Sequence, residues 1–204
     1  MIRYLSIALM TLLLSLLDSG EAWAQDSTPA EEVLRPHSQV EQLHEVLIQA
    51  MQIADGAQRE ALIQPVIART FDVPSIARIS VGRTWRNITQ EQRGALIEDL
   101  QILIAATYAD RFDAFNQQQF VTDAVEEVKT GHVVKTRLLR TDDDPVSLDY
   151  FLRKGLVFNV VADGVSDLSL RRADYNSIIK QQGFEALMRH VSQKIDEARG
   201  SFTH

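Results

Sequence analysis

Val40, Leu43, Leu47, Ala50, Met51 and Ala54 recur at intervals of three and four residues, the spacing that lines one face of a helix, and Asp55-Gly56 stops the run. A second helical stretch is expected over 58–71, with Pro65 inside it. Proline removes an amide donor and crowds the preceding turn, so a kink or two short helices are predicted there. Asp72-Val73-Pro74-Ser75 is a helix start, leading to a short helix that ends at Val81 and is closed by Gly82. Thr89-Gln90-Glu91-Gln92 is a capping box opening a long helix to about residue 115. Leu96, Ile97, Leu100, Leu103, Ile104, Thr107, Tyr108, Phe112 and Phe115 form a stripe along it that is broader than packing on two neighbours requires.

From about residue 120 the period changes from three and four to two. Val134, Thr136 and Leu138 alternate with Val133, Lys135, Arg137 and Leu139, and Val146, Leu148, Tyr150 and Leu152 alternate with Ser147, Asp149, Phe151 and Arg153. Turn residues at Lys129-Thr130-Gly131, Asp142 to Pro145 and Lys154-Gly155 divide the region into four strands, 119–129, 132–140, 145–153 and 156–162. Beyond Asp163-Gly164, Ser166 caps a helix that ends at Gly183, and Phe184, Leu187, Met188, Val191 and Ile195 give the face of a last one. Helices, then strands, then helices predict an α+β fold: a curved four-stranded antiparallel sheet covered by helices on one face.

Such an arrangement encloses either a dry core or an apolar pocket, and periodicity does not separate the two. A pocket would draw its lining from Leu100, Leu103, Ile104, Tyr108 and Phe112 on the long helix. The sheet would add Val134, Leu138, Leu148, Tyr150, Leu152, Phe158 and Val160.

The N-terminal pattern is of another kind. Arg3, an apolar run from Leu5 to Leu17, and Ala22-Trp23-Ala24 have the order of a secretory signal peptide, the run being short of the ~20 residues a membrane span needs. The expectation is a signal peptide over 1–24, a polar leader over 25–35 and one domain over 36–200, exported to the periplasm; an uncleaved anchor is the alternative. The formal net charge of −7, with acidic and basic residues interspersed, does not suit nucleic-acid binding. With no cysteine there is no disulfide and no thiol chemistry.

Catalytic constellations are hard to find. The five histidines lack H-x-x-x-H spacing, Ser80, Ser166 and Ser169 lack the G-x-S-x-G elbow, and no Gly-rich phosphate loop occurs. No metal, cofactor or enzymatic activity is expected. Asp142 to Asp144 lack calcium-loop spacing and read as a solvated hairpin tip. Arg171 and Arg172 are suited to a phosphate at a pocket rim, or to a salt-bridged surface; Trp85 is suited to a rim contact or a packing anchor.

Several segments in order resemble the MlaC (toluene-tolerance) family. They are Phe71-Asp72-Val73, Gly82-x-x-Trp85-Arg86, Thr89-x-Glu91-Gln92-Arg93, Tyr108, Val146-x-Leu148-x-Tyr150, Asp163-Gly164-Val165-Ser166, Arg172-x-x-Tyr175 and Gly183-Phe184-x-x-Leu187. Arg171 to Tyr175 with Gly183-Phe184 is most similar to the hopanoid-associated HpnM branch. The resemblance implies a monomeric periplasmic carrier that takes acyl chains of a phospholipid, or a hopanoid-type lipid, into a deep pocket. Its implied partners are an inner-membrane ABC transporter with an MCE-domain component and an outer-membrane lipoprotein complex. Two positions depart from the family pattern: Lys154-Gly155-Leu156 offers no Trp, and Asn159 stands where an Asp is usual. An envelope adaptor with a filled core and a cavity enzyme of a related α+β fold remain competing readings.

Overall fold

A computed structural model describes residues 37–141 and 143–203. The signal peptide and leader expected over 1–35 lie outside the described residues. Helix α1 spans Ser38–Ala50 and buries Val40, Leu43, Leu47 and Ala50, one side of the three-and-four pattern. It ends before Ala54 because Asp55 belongs to the next element, its side chain accepting the Gln58 amide at 2.8 Å to cap α2, Gly56–Thr70.

Pro65 does not divide α2, which runs unbroken past it. Both Pro65 and Ala61, whose carbonyl loses its usual donor, are exposed, so water can satisfy the freed oxygen. Asp72 caps α3, Val73–Val81, by accepting from the Ser75 amide, and a 3-10 turn over Gly82–Arg86 follows. The capping box at the start of α4, Gln90–Arg111, is reciprocal: the Gln92 amide donates to Thr89 Oγ1 and the Thr89 amide to Gln92 Oε1. Helix α4 stops short of residue 115, and Phe115 is left 44% exposed.

The sheet is an antiparallel meander in the order β1 to β5: Gln119–Val128, Gly131–Leu139, Val146–Arg153, Leu156–Ala162 and Val165–Ser166. Five strands therefore replace the expected four among the described residues. The fifth is only two residues, too short for alternation to register, and pairs with Val161 and Ala162 at the edge. Gly131 has φ +141°, and a Cβ there would lie 2.0 Å from the Leu152 carbonyl oxygen, so the hairpin requires glycine. One sheet face is polar, with Lys135 bonded to Glu126 and Arg137 held by two bonds to Asp123.

Ser166 ends β5 and also caps α5, Asp167–Gln182, accepting from the Ser169 amide. Gly183, at φ 85°, turns the chain into α6, Phe184–Gly200, which buries Ala186, Leu187, Val191 and Ile195. The core forms where α2 and α6 pack on α4 and where the helices meet the inner sheet face. A buried Arg59 ties α2 to α4 and to the α1–α2 connection, donating from Nε to the Ala109 carbonyl and from Nη1 to the carbonyls of Ile53 and Ala54. Among the described residues no helix is long and apolar enough to cross a membrane.

Candidate functional site: a cavity between helix α4 and the sheet

The inner sheet face and the C-terminal half of α4 do not close on each other. Between them lies a cavity of about 630 Å³, within the usual range of small-ligand sites. Of the residues proposed from sequence, Ile104, Tyr108 and Phe112 line it from α4, and Leu138, Leu148, Tyr150, Phe158 and Val160 line it from the sheet. Leu100, Leu103, Val134 and Leu152 do not; they are packed into the core. Met51, Phe71 and Ile76 contribute from the first three helices and their connections, and Ala162 from the end of β4.

A chain of rings runs from the cavity wall into the packed side chains behind it. Phe71 meets Tyr108 edge-on at 6.0 Å, Tyr108 lies 5.7 Å from Phe112, and Phe112 lies 5.9 Å from Phe120. Phe120 then stacks on His44 at 3.9 Å, and His44 meets Tyr150. His44 Nε2 is 3.1 Å from the Tyr150 hydroxyl. Burial lowers the His44 pKa to about 3, so the ring is neutral at ordinary pH, and burial raises the Tyr150 phenol well above its usual value. Nothing in the sequence pattern marks His44, which sits at a core position of α1 between Leu43 and Leu47.

Polar groups collect toward α5 and the opening. Arg171 bonds Asp167 at 2.9 Å and the Tyr175 hydroxyl at 3.3 Å, and its buried Nε has no partner among the described residues. Arg140 pairs with Asp143 at 3.3 Å, and both residues line the cavity. Arg111, at the end of α4, also lines the mouth and is exposed. Arg172 points away and is exposed, while Trp85 packs against the core beneath the Arg93 guanidinium, 5.3 Å from its ring centre.

Asn159 Oδ1 accepts from the Ser166 hydroxyl and the Leu168 amide, joining β4 to the start of α5. An aspartate could accept the same two bonds, so this departure from the family pattern keeps the local structure. A second hollow of about 560 Å³, beside Gly56, Glu60 and Phe202, is walled by the two-bond Glu60–Arg199 ion pair. Among the described residues no cluster of three or more histidines and carboxylates is arranged to hold a metal.

An α+β domain whose helices and meander sheet enclose a largely apolar cavity, with a few charged side chains in its lining, has the build of a ligand-binding domain. This chain belongs to the MlaC protein family, whose model matches residues 38–193. Among solved structures it is similar to a phospholipid-binding protein from Ralstonia solanacearum, determined in complex with a phospholipid. The TM-score is 0.70 at 18% identity, covering 80% of this chain and 98% of that one, a likeness that establishes the shared fold. Comparison with curated proteins by sequence returns no match.

Proposed function

We propose that this chain is an exported carrier that buries the acyl chains of a lipid in the cavity between α4 and the sheet. The observation that carries the reading is the unfilled apolar space of about 630 Å³ in a chain of the MlaC family. Burying ~10–15 methylenes at ~0.8 kcal/mol each yields roughly 8–12 kcal/mol before association costs, enough to retain a lipid through purification. The phospholipid bound by the Ralstonia relative makes a phospholipid the first candidate. A hopanoid-type lipid is the second, on the resemblance of Arg171 to Tyr175 and Gly183-Phe184 to the HpnM branch.

In this reading the protein works in the periplasm and exchanges lipid with an inner-membrane MCE/ABC transporter and an outer-membrane lipoprotein complex. On the same reading it is a binder and not an enzyme, which the family match and the phospholipid-binding relative support. Organic extraction of protein isolated from the periplasm, followed by mass spectrometry, tests the proposal. Stoichiometric phospholipid is the expected result, and a hopanoid would move the ligand to the second candidate. Lipid-free protein would return the adaptor reading to first place.

A further inference from the structure

Two tyrosines line the cavity in different hydrogen-bonding states. The Tyr150 hydroxyl is engaged by His44 at 3.1 Å. The Tyr108 hydroxyl has no hydrogen-bond partner among the described residues, and its half-buried side chain borders the cavity. Once a ligand's hydrocarbon excludes water from that space, a hydroxyl left unpaired there is costly, so a bound ligand is expected to bring an acceptor to it.

Helix α4 shows where along a ligand that acceptor would lie. Three levels of the helix face the cavity about one turn apart: Ile104, then Thr107 with Tyr108, then Arg111 with Phe112. One turn is ~5 Å, so the levels run from an apolar side chain through hydroxyls to a cation within ~10 Å. Arg111 makes no ion pair or hydrogen bond among the described residues and stands exposed at the mouth. A glycerophospholipid presents the complementary order along its own length: hydrocarbon, ester carbonyls, phosphate.

We propose that the Tyr108 hydroxyl donates a hydrogen bond to an acyl-ester carbonyl oxygen of the bound lipid, giving the cavity a preference for ester-linked glycerolipids. The inference rests on the carrier reading and adds a selectivity to it. The phenol is suited to the role because burial, with Asp167 nearby, raises its pKa, an effect that Arg111 and Arg171 only partly oppose. It stays protonated, and a donor, at any ordinary pH. Thr107, on the same level, likewise has no side-chain partner among the described residues and can serve the second ester.

The test compares a diester phosphatidylethanolamine with its diether analogue, identical in chains and headgroup, as competitors for a fluorescent acyl probe on the delipidated full-length mature protein. Wild-type protein is expected to bind the diester roughly tenfold more tightly, the equivalent of one hydrogen bond to an otherwise unpaired donor. Tyr108→Phe should retain the wild-type melting temperature, since it removes a hydroxyl with no protein partner, and should bind both lipids equally, near the diether value. Equal binding of the two lipids by wild type, or a preference that survives in Tyr108→Phe, would overturn the ester contact while leaving the carrier reading intact. Failure of wild type to bind either lipid would overturn the ester contact together with the phospholipid form of the carrier reading.

Discussion

The two halves of α4 carry one continuous apolar stripe and meet different surroundings. In the first half Leu96 and Leu100 are fully buried in the packed core. In the second half Ile104, Tyr108 and Phe112 face the sheet across a space that protein atoms do not fill. The side chains are of similar size and hydrophobicity, so what separates the halves is the distance to the opposite wall. An apolar position records the need to avoid water, and a packed neighbour or a ligand's hydrocarbon meets that need equally well.

The difference should be largest for truncations in the two halves. Leu100→Ala is expected to cost about 3 kcal/mol, because packed side chains surround the leucine and its removal opens a void among them. Ile104→Ala in the lipid-free protein should cost about half as much, since one side of Ile104 already borders open space. Denaturant unfolding of both variants measures this, and equal costs would show that the cavity is closed in solution.

A smaller effect follows from His44, on the wall behind Tyr150. Its folded pKa of about 3 lies below the ordinary value of 6.5, so the unfolded chain takes up a proton that the folded protein refuses. That contribution to stability is fully present above pH 6.5 and is lost as pH falls from there toward 3, at up to about 1.4 kcal/mol per pH unit. His44→Gln, which does not titrate, should flatten the acid side of the stability curve; an unchanged slope between pH 6 and roughly 4 would count against a buried neutral ring.

The smallest effect is expected at Asn159→Asp. The carboxylate can accept from the Ser166 hydroxyl and the Leu168 amide as the amide oxygen does, and it gains slightly from the N-terminus of α5. A change in stability within about 0.5 kcal/mol, read from urea midpoints, is the expected outcome. A larger loss would mean that the Asn159 amide nitrogen has a role the protein contacts do not reveal.

Much of this architecture is legible in the sequence, because local chemistry sets it. The Thr89 to Gln92 box, the Asp72 cap, the Gly183 break and the period-two strands all involve residues within one turn or one hairpin. What is not legible depends on long-range placement. Leu103 and Ile104 are neighbours on one stripe, yet only Ile104 reaches the cavity, and Leu138 lines it while Val134, farther along the same face of β2, is packed. Pro65 reads as a break because sequence does not tell whether the freed carbonyl faces water. His44 and Arg59, polar residues inside apolar patterns, find partners 106 and 50 residues away in the chain, a distance no local pattern spans.

The claim that the space beside α4 is a ligand site is tested most directly by filling it. Ala162 lines the cavity, whereas Ala106 is fully buried outside it. Fluorescent-lipid uptake from vesicles, measured for wild type, Ala162→Trp and Ala106→Trp alongside their melting temperatures, reads both positions. Ala162→Trp should fold with a melting temperature within a few degrees of wild type and take up little or no lipid, whereas Ala106→Trp should overpack the core and lose stability. Wild-type uptake by a folded Ala162→Trp protein, or no uptake by wild type itself, would contradict the account.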